Sequence, residues 1–340
     1  NFEYEYARTK NPSRDVLEKL LAQIESGHKA FAFASGMSAI NTVCDLFGTD
    51  FHIICSDDVY GGTRRLFDKV KSDIEVTYID FDKNVNWNDE IKENTKFIWV
   101  ETPSNPLMKI IDIKNTVSIA SEFNLPVICD NTFASPFNQR PLELGADMVV
   151  SSSTKYLGGH SDIVGGSIVI KENKEYAEKI SYIQNAVGAI PSPFDCYLLI
   201  RSIKTLSVRM KQHNENAIAV SNFLTNHSKI NKVFFPGIDE RYKEVAAKQM
   251  DGFGGMMSFI LDTNIDGVKS FLKNLNIFTL AESLGGVESL IEHPAIMTHA
   301  SIDPAIREKL GISDTLLRIS VGIEDVEDLI ADLDQALSKI

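Results

Sequence analysis

The sequence predicts an α/β protein whose mostly parallel central sheet is covered by helices on both faces, followed by a smaller C-terminal α+β domain. Two patterns predict it. Over the first two thirds of the chain, short continuous apolar runs alternate with stretches of helical periodicity. From Pro193 this texture gives way to a long helical stretch and then to a mixture of strands and helices. Size agrees: 340 residues with 44% hydrophobic content suffice to bury two cores.

Val16 to Ile24 and Met37 to Phe47 carry apolar residues at helical spacing, whereas Phe51 to Cys55 and Glu75 to Ile79 are short apolar strand candidates. Lys96 to Val100, Pro126 to Cys129, Asp147 to Ser151 and Ser167 to Ile170 extend the strand series, with a helix from about Ile113 to Phe123 between two of them. Strands that are apolar throughout, rather than at alternate residues, are buried on both faces, the mark of a parallel sheet between helical layers. Beyond Pro193 a single helix is expected through Leu198, Ile203, Leu206, Met210 and Ala217 to Leu224. A strand from Met256 to Leu261 and a helix near Val268 to Leu272 follow. These readings place the boundary near residue 196, with the large domain at 13–195 and the C-terminal domain at 196–340. No repeat or low-complexity linker separates the two, so they should pack closely.

Lys and Arg number 34 and Asp and Glu 47, a formal charge of −13 that repels a phosphate backbone, so nucleic acid is not an expected partner. No apolar stretch has the length of a spanning helix and no leader pattern precedes the fold, so a cytoplasmic, membrane-free protein is expected. Cys44, Cys55, Cys129 and Cys196 are isolated, three of them within apolar runs, and read as reduced core thiols. The seven histidines form no metal-binding spacing, and no metal is expected. The chain begins at Asn1, directly in the motif-like Tyr4-Glu5-Tyr6-Ala7-Arg8, so a preceding segment is expected.

In a doubly wound sheet, ligands bind beyond the carboxyl ends of the strands. The polar residues just after each apolar run are Asp57-Asp58-Val59-Tyr60-Gly61-Gly62, Glu101 to Pro106, Asp130-Asn131-Thr132 and Ser152-Ser153-Thr154-Lys155. A lysine, an aspartate, an aromatic ring and hydroxyls therefore converge on one crevice. Pyridoxal 5'-phosphate (PLP) needs those types: an amine for its aldehyde, a carboxylate to keep its ring nitrogen protonated, and an aromatic face to stack on. Lys155, Asp130 and Tyr60 fill these roles. Ala34-Ser35-Gly36-Met37-Ser38 opens a helix whose bare N–H groups suit a phosphate dianion, with Ser152 and Thr154 adding hydroxyls.

Together these residues resemble the cystathionine γ-lyase and γ-synthase family, PLP enzymes of Cys/Met metabolism with the aspartate-aminotransferase-like, type I fold. The resemblance runs nearly the full chain, through Tyr4 to Arg8, Ala34 to Gly36, Asp57 to Thr63, Glu101 to Pro106, Asp130 to Phe133 and Ser152 to Asp162. It continues through Ala281 to Gly286, Met297-Thr298-His299-Ala300 and Arg318 to Gly322.

The resemblance implies that Lys155 carries the cofactor as a Schiff base and then moves protons between substrate carbons, while Asp130 holds the ring nitrogen and Tyr60 stacks. Gly36, Met37, Ser152, Thr154 and Thr132 would belong to the cofactor site. Residues 1–12 would be the remnant of an N-terminal arm contacting a partner subunit. Tyr6 and Arg8 would reach the phosphate of a neighbouring subunit in a homotetramer, a dimer of dimers with shared active sites. Arg318 would clamp the substrate carboxylate as a bidentate fork, assisted by Asn105 and Ser283, with Glu5, Arg65 and Glu282 lining the distal end. The implied reaction is a carbon–sulfur lyase step of transsulfuration on sulfur amino-acid substrates. It cleaves cystathionine to cysteine, 2-oxobutyrate and ammonia, and γ-synthase or β-lyase chemistry is the alternative.

Gly62 stands where methionine γ-lyases carry cysteine. Glu282 resembles the γ-lyase and γ-synthase branch, where bacterial β-lyases usually differ, and Pro191 to Tyr197 resembles γ-lyases most. Taken singly, each site residue has a plainer reading: a surface lysine at 155, a helix-capping Asp130, a half-buried core Tyr60, and for Arg318 the exposed face of a strand. Gly158-Gly159-His160 reads as a structural loop. A PLP-fold binding protein without catalysis is the alternative of another class, and the joint presence of Lys155, Asp130, Tyr60 and Arg318 favours the enzyme.

Overall fold

A computed structural model of the chain describes residues 4–298 and 304–340; His299 and Ala300 of the C-terminal motif lie outside the described residues. Seven strands form the larger sheet: β1 (Lys29–Phe33), β2 (Phe51–Ser56), β3 (Ile74–Ile79), β4 (Thr95–Glu101), β5 (Val127–Asp130), β6 (Met148–Ser151) and β7 (Gly166–Ile170). Their order is β1-β7-β6-β5-β4-β2-β3. β2 pairs in parallel with β3 and β4, and the parallel series continues through β5 to β6, whereas β7 runs antiparallel to both β6 and β1.

The strand interiors are apolar because helices cover both faces. Gly36–Phe47 and Lys174–Val187 pack on one side, where Ile40, Val43, Phe97, Trp99, Ile128 and Ile168 are buried together. The other side is closed by Ile113–Glu122 over Ile54, Ile98, Val127 and Cys129. Four helices start where the sequence supplies a cap: Asn11, Ser35, Asp112 and Asn173 each accept first-turn backbone N–H groups through their side chains.

The second sheet contains β8 (Ile230–Phe234), β9 (Met256–Leu261), β10 (Thr279–Leu280), β11 (Leu290–Glu292) and β12 (Leu316–Ser320), in the order β10-β11-β12-β9-β8. Helices Leu206–Thr225, Ile265–Asn274 and Val326–Leu337 bury their apolar stripes against it, around Phe259, Phe271, Leu317 and Leu333.

One expectation is corrected, and one of the plainer single-residue readings is excluded. The helix expected as one element through Leu224 is two, Pro193–Ile203 and Leu206–Thr225, with the turn at Lys204 and Thr205. The apolar spacing carries across this break because both helices bury residues in the same core, Leu199 and Ile203 with Leu206 and Met210. Arg318 is not on an exposed strand face; it is 2% exposed, and all five residues of β12 are buried. The Arg318 side chain lines the cavity closed by other elements, where the sequence reading expected it. No described helix is long and apolar enough to cross a membrane.

Candidate active site

Four parallel strands end side by side, and the loops leaving them enclose a cavity of about 320 Å³. Its walls include Gly36, Met37, Tyr60, Asn105, Asp130, Thr132, Ser152, Thr154, Lys155, Glu282, Ser283 and Arg318. Twelve of the sixteen expected site residues thus meet in one place. Four do not line it: Glu5, Tyr6 and Arg8 lie on the exposed N-terminal segment, and Arg65 is exposed beside Tyr60. Arg8 donates through Nη1 to the side-chain oxygen of Asn185 at 3.2 Å.

Lys155 sits in the turn after β6. Its Nζ donates to Ser283 Oγ at 3.3 Å, a hydrogen bond that reaches across the cavity. Burial, and then the positive field of Arg318, push its amine down to about 8, so a large neutral fraction exists near physiological pH. The loop carrying Ser283 lies close against the Lys155 backbone. Gly285 has φ +73, and a Cβ there would meet Tyr156 N at 2.8 Å and Lys155 Cα at 3.3 Å.

Asp130 closes β5 with its carboxylate facing the cavity. It accepts from Thr132 N at 3.0 Å, and no cation among the described residues pairs with it. Burial raises its carboxyl to about 6, moderated by the Thr132 hydrogen bonds. Thr132 also turns toward β6, its hydroxyl accepting from Ser152 N at 2.9 Å.

Tyr60, 38% exposed, stands at the start of the short helix Gly61–Arg65. Its ring packs directly on Gly62, where a Cβ would fall 2.3 Å from the ring Cε1. Any larger residue at 62 therefore displaces the ring. Opposite, helix Gly36–Phe47 opens at the cavity, its N-cap Ser35 accepting from Ser38 N at 3.0 Å. A Cβ on Gly36 would meet Ser152 Cβ at 2.9 Å, so backbone and serine approach closely there. The Thr154 hydroxyl is bonded to Gly165, donating to its carbonyl at 3.2 Å and accepting from its N–H at 3.0 Å.

Arg318 enters from β12. Nη1 donates to Asn105 Oδ1 at 3.0 Å and Nη2 to Glu282 O at 2.9 Å; Nη2 also forms an ion pair with buried Glu292, while Nε has no hydrogen-bond partner among the described residues. Glu292 and Glu101 are the two site carboxyls to which the sequence reading gave no role. Glu101 was visible at the end of an apolar run, whereas Glu292 needed the strand pairing that sets it opposite Arg318.

The donor set fits PLP. A buried, unpaired carboxylate suits a cationic ring nitrogen, a partly neutral lysine suits an aldehyde, and a helix N-terminus beside Ser152 suits a phosphate. The model of the Cys/Met metabolism PLP-dependent enzymes matches residues 1–338. The chain belongs to that family.

Among its relatives, a cystathionine beta-lyase of Coxiella burnetii is 49% identical over 98% of this chain and 87% of that protein. The crystal structure of cystathionine gamma-lyase from Lactobacillus plantarum, complexed with L-serine, superposes with a TM-score of 0.96 at 46% identity, covering 100% of this chain and 90% of that one. A cystathionine gamma synthase from Xanthomonas oryzae pv. oryzae, in complex with aminoacrylate and cysteine, gives a TM-score of 0.96 at 42% identity, covering 100% and 88%. As a member of that family with cystathionine lyases among its relatives, the protein is therefore a PLP-dependent enzyme of the lyase class with the α/β fold expected from its sequence. Among the described residues, no group of three His, Cys, Asp or Glu side chains could hold a metal.

Proposed function

We propose that the protein is a carbon–sulfur lyase that converts cystathionine and water to cysteine, 2-oxobutyrate and ammonia, breaking the bond on the γ-carbon side. The observation that carries this reading is the placement of three groups in one cavity with a fourth at its rim: the Lys155 amine, the Asp130 carboxylate, the Arg318 fork and the exposed Glu282. Cystathionine has two amino-acid heads. Arg318 takes the carboxylate of the reacting head, with Asn105 and Ser283 beside it, and Glu282, with Arg65 and Glu5, meets the charges of the distal one.

Bound PLP supplies an electron sink for the charge left when a proton leaves the carbon next to the amino group. The other steps fall to the protein's own side chains. Asp130, with Thr132, holds the ring nitrogen protonated. Tyr60 stacks on the ring, while Gly36, Met37, Ser152 and Thr154 hold the phosphate. The Lys155 amine would remove a substrate proton first from Cα and then from Cβ; its lowered basicity lets one amine both accept and return protons.

In this reading the protein works as a cytoplasmic homotetramer in which Tyr6 and Arg8 complete a neighbour's phosphate site. In support, Tyr6 is 59% exposed and outside its own cavity. The large and C-terminal domains, meeting near residue 196, hold the two halves of the cavity: Asp130 and Lys155 in one, Arg318 and Glu282 in the other.

The test is an assay of the holoenzyme with cystathionine that resolves the products, run beside an acylhomoserine plus cysteine. Cysteine with 2-oxobutyrate supports the proposal. Homocysteine with pyruvate makes it a β-lyase, and cystathionine synthesis faster than cleavage makes it a synthase.

A further inference from the structure

Glu292 is 1% exposed, outside the cavity wall, and directly opposite Arg318 in the antiparallel pairing of β11 with β12. Its two carboxylate oxygens reach in different directions. Oε2 forms the ion pair with Arg318 Nη2, and Oε1 accepts from the Thr298 hydroxyl and from Thr298 N at 3.3 Å. Thr298 lines the cavity, and its carbonyl lies so close to Gly61 that a Cβ there would come within 2.5 Å. One buried carboxylate thus joins the guanidinium on one wall to the segment beside Tyr60 on another.

Three oxygens hold the guanidinium through its two terminal nitrogens: Asn105 Oδ1 and Glu282 O accept hydrogen bonds, and Glu292 Oε2 forms an ion pair with Nη2. Only Glu292 among them bears a charge. A buried arginine costs desolvation, which a single nearby carboxylate offsets best. The same carboxylate fixes the plane of the fork, and a misaligned fork cannot grip a planar carboxylate with two parallel bonds.

We propose that Glu292 is a positioning residue: it orients Arg318 toward the carboxylate of the amino-acid substrate and ties that orientation to Thr298. This rests on the reading of Arg318 as the substrate-carboxylate clamp. Glu292 itself touches neither substrate nor cofactor.

The test titrates the holoenzyme with glycine and, separately, with methylamine, following the visible absorbance of the bound cofactor, for wild type, Glu292→Gln, Glu292→Asp and Arg318→Lys. Both ligands offer an amine to the cofactor, and only glycine carries a carboxylate. The expected result for Glu292→Gln is an apparent Kd for glycine raised about tenfold or more with that for methylamine within about twofold, the scale of one charge-assisted hydrogen bond. With cystathionine the same variant raises KM more than it lowers kcat. Glu292→Asp, which keeps the charge, recovers part of the loss and serves if Glu292→Gln does not fold. Equal weakening of both ligands overturns the proposal, since general damage to the site has that effect. If Arg318→Lys selectively loses glycine while neither Glu292 variant does, the proposal fails and the clamp stands. If Arg318→Lys leaves the preference for glycine intact, the clamp reading itself falls, and the role of Glu292 with it.

Discussion

The backbone N–H of Tyr60 donates to both carboxylate oxygens of Glu101, at 3.1 and 2.9 Å, so the last residue of β4 fixes the segment that presents the aromatic ring after β2. Glu101 is buried and in register with Asp130 on the next strand. Burial, and then the repulsion of Asp130, push its carboxyl well above the usual range, so the site disfavours a charge there.

Glu101→Gln should therefore be well tolerated, since glutamine keeps a carbonyl acceptor and adds no charge. Glu101→Ala leaves the Tyr60 N–H without its acceptor and should cost about 1–3 kcal/mol, the penalty for an orphaned buried donor. Urea unfolding of both variants, with the Kd for PLP measured alongside, checks this. Equal stability of the two would show that the Tyr60 contact contributes nothing.

The amine of Lys155 must be neutral to attack the aldehyde of PLP. With its amine pushed down to about 8, the rate of cofactor capture by the apoenzyme should rise steeply between about pH 7 and 9 and level off above, where an ordinary lysine would still be gaining. Stopped-flow absorbance at a series of pH values gives the profile. A rise centred near the value of a free lysine would mean that burial does not act on this amine. Lys155→Ala should bind PLP without the covalent chromophore and lose at least about 100-fold in turnover, the scale of a missing general base.

Asp130 offers the only carboxylate expected at the ring nitrogen. Asp130→Asn keeps the shape and the Thr132 contact but removes the charge, and turnover should fall about 100-fold or more, as for other preorganised electrostatic groups. PLP should still bind. Loss of the cofactor with unchanged turnover per bound cofactor would assign Asp130 to binding alone.

The strands that build the cavity were legible because each is a continuous apolar run ending in polar residues, as at Phe51–Ser56 and Met148–Ser151. The direction of β7 was not, since a strand buried on both faces reads the same either way. The strand Lys29–Phe33 and the helix Lys174–Val187 were less legible, the first because it has no β-branched residue and the second because only Ile180 and Gln184 are buried along its length. In the site, residues that follow strands announced themselves. Glu292 did not: its meaning depends on facing Arg318 across a ladder, a pairing with no local signature.

Glu25, the C-cap of helix Pro12–Ile24, is a buried acid that the proposed chemistry does not use. Burial raises its carboxyl from the ordinary 4.5 to about 8, with Asn131 and Arg140 moderating the effect. Below pH 4.5 both folded and unfolded chains hold this proton, and the group adds no pH dependence. Between about 4.5 and 8 the unfolded chain releases it while the folded one keeps it, so the folded state binds more protons and loses stability as pH rises. Above 8 the deficit is fully present, on the order of a few kcal/mol. Glu25→Gln removes the proton exchange while keeping shape and polarity. The variant should match wild type near pH 4.5 and exceed it increasingly toward pH 8.5 in urea unfolding at fixed ionic strength. Parallel stability curves for the two proteins across that range would show that Glu25 ionises as freely in the folded chain as in the unfolded one.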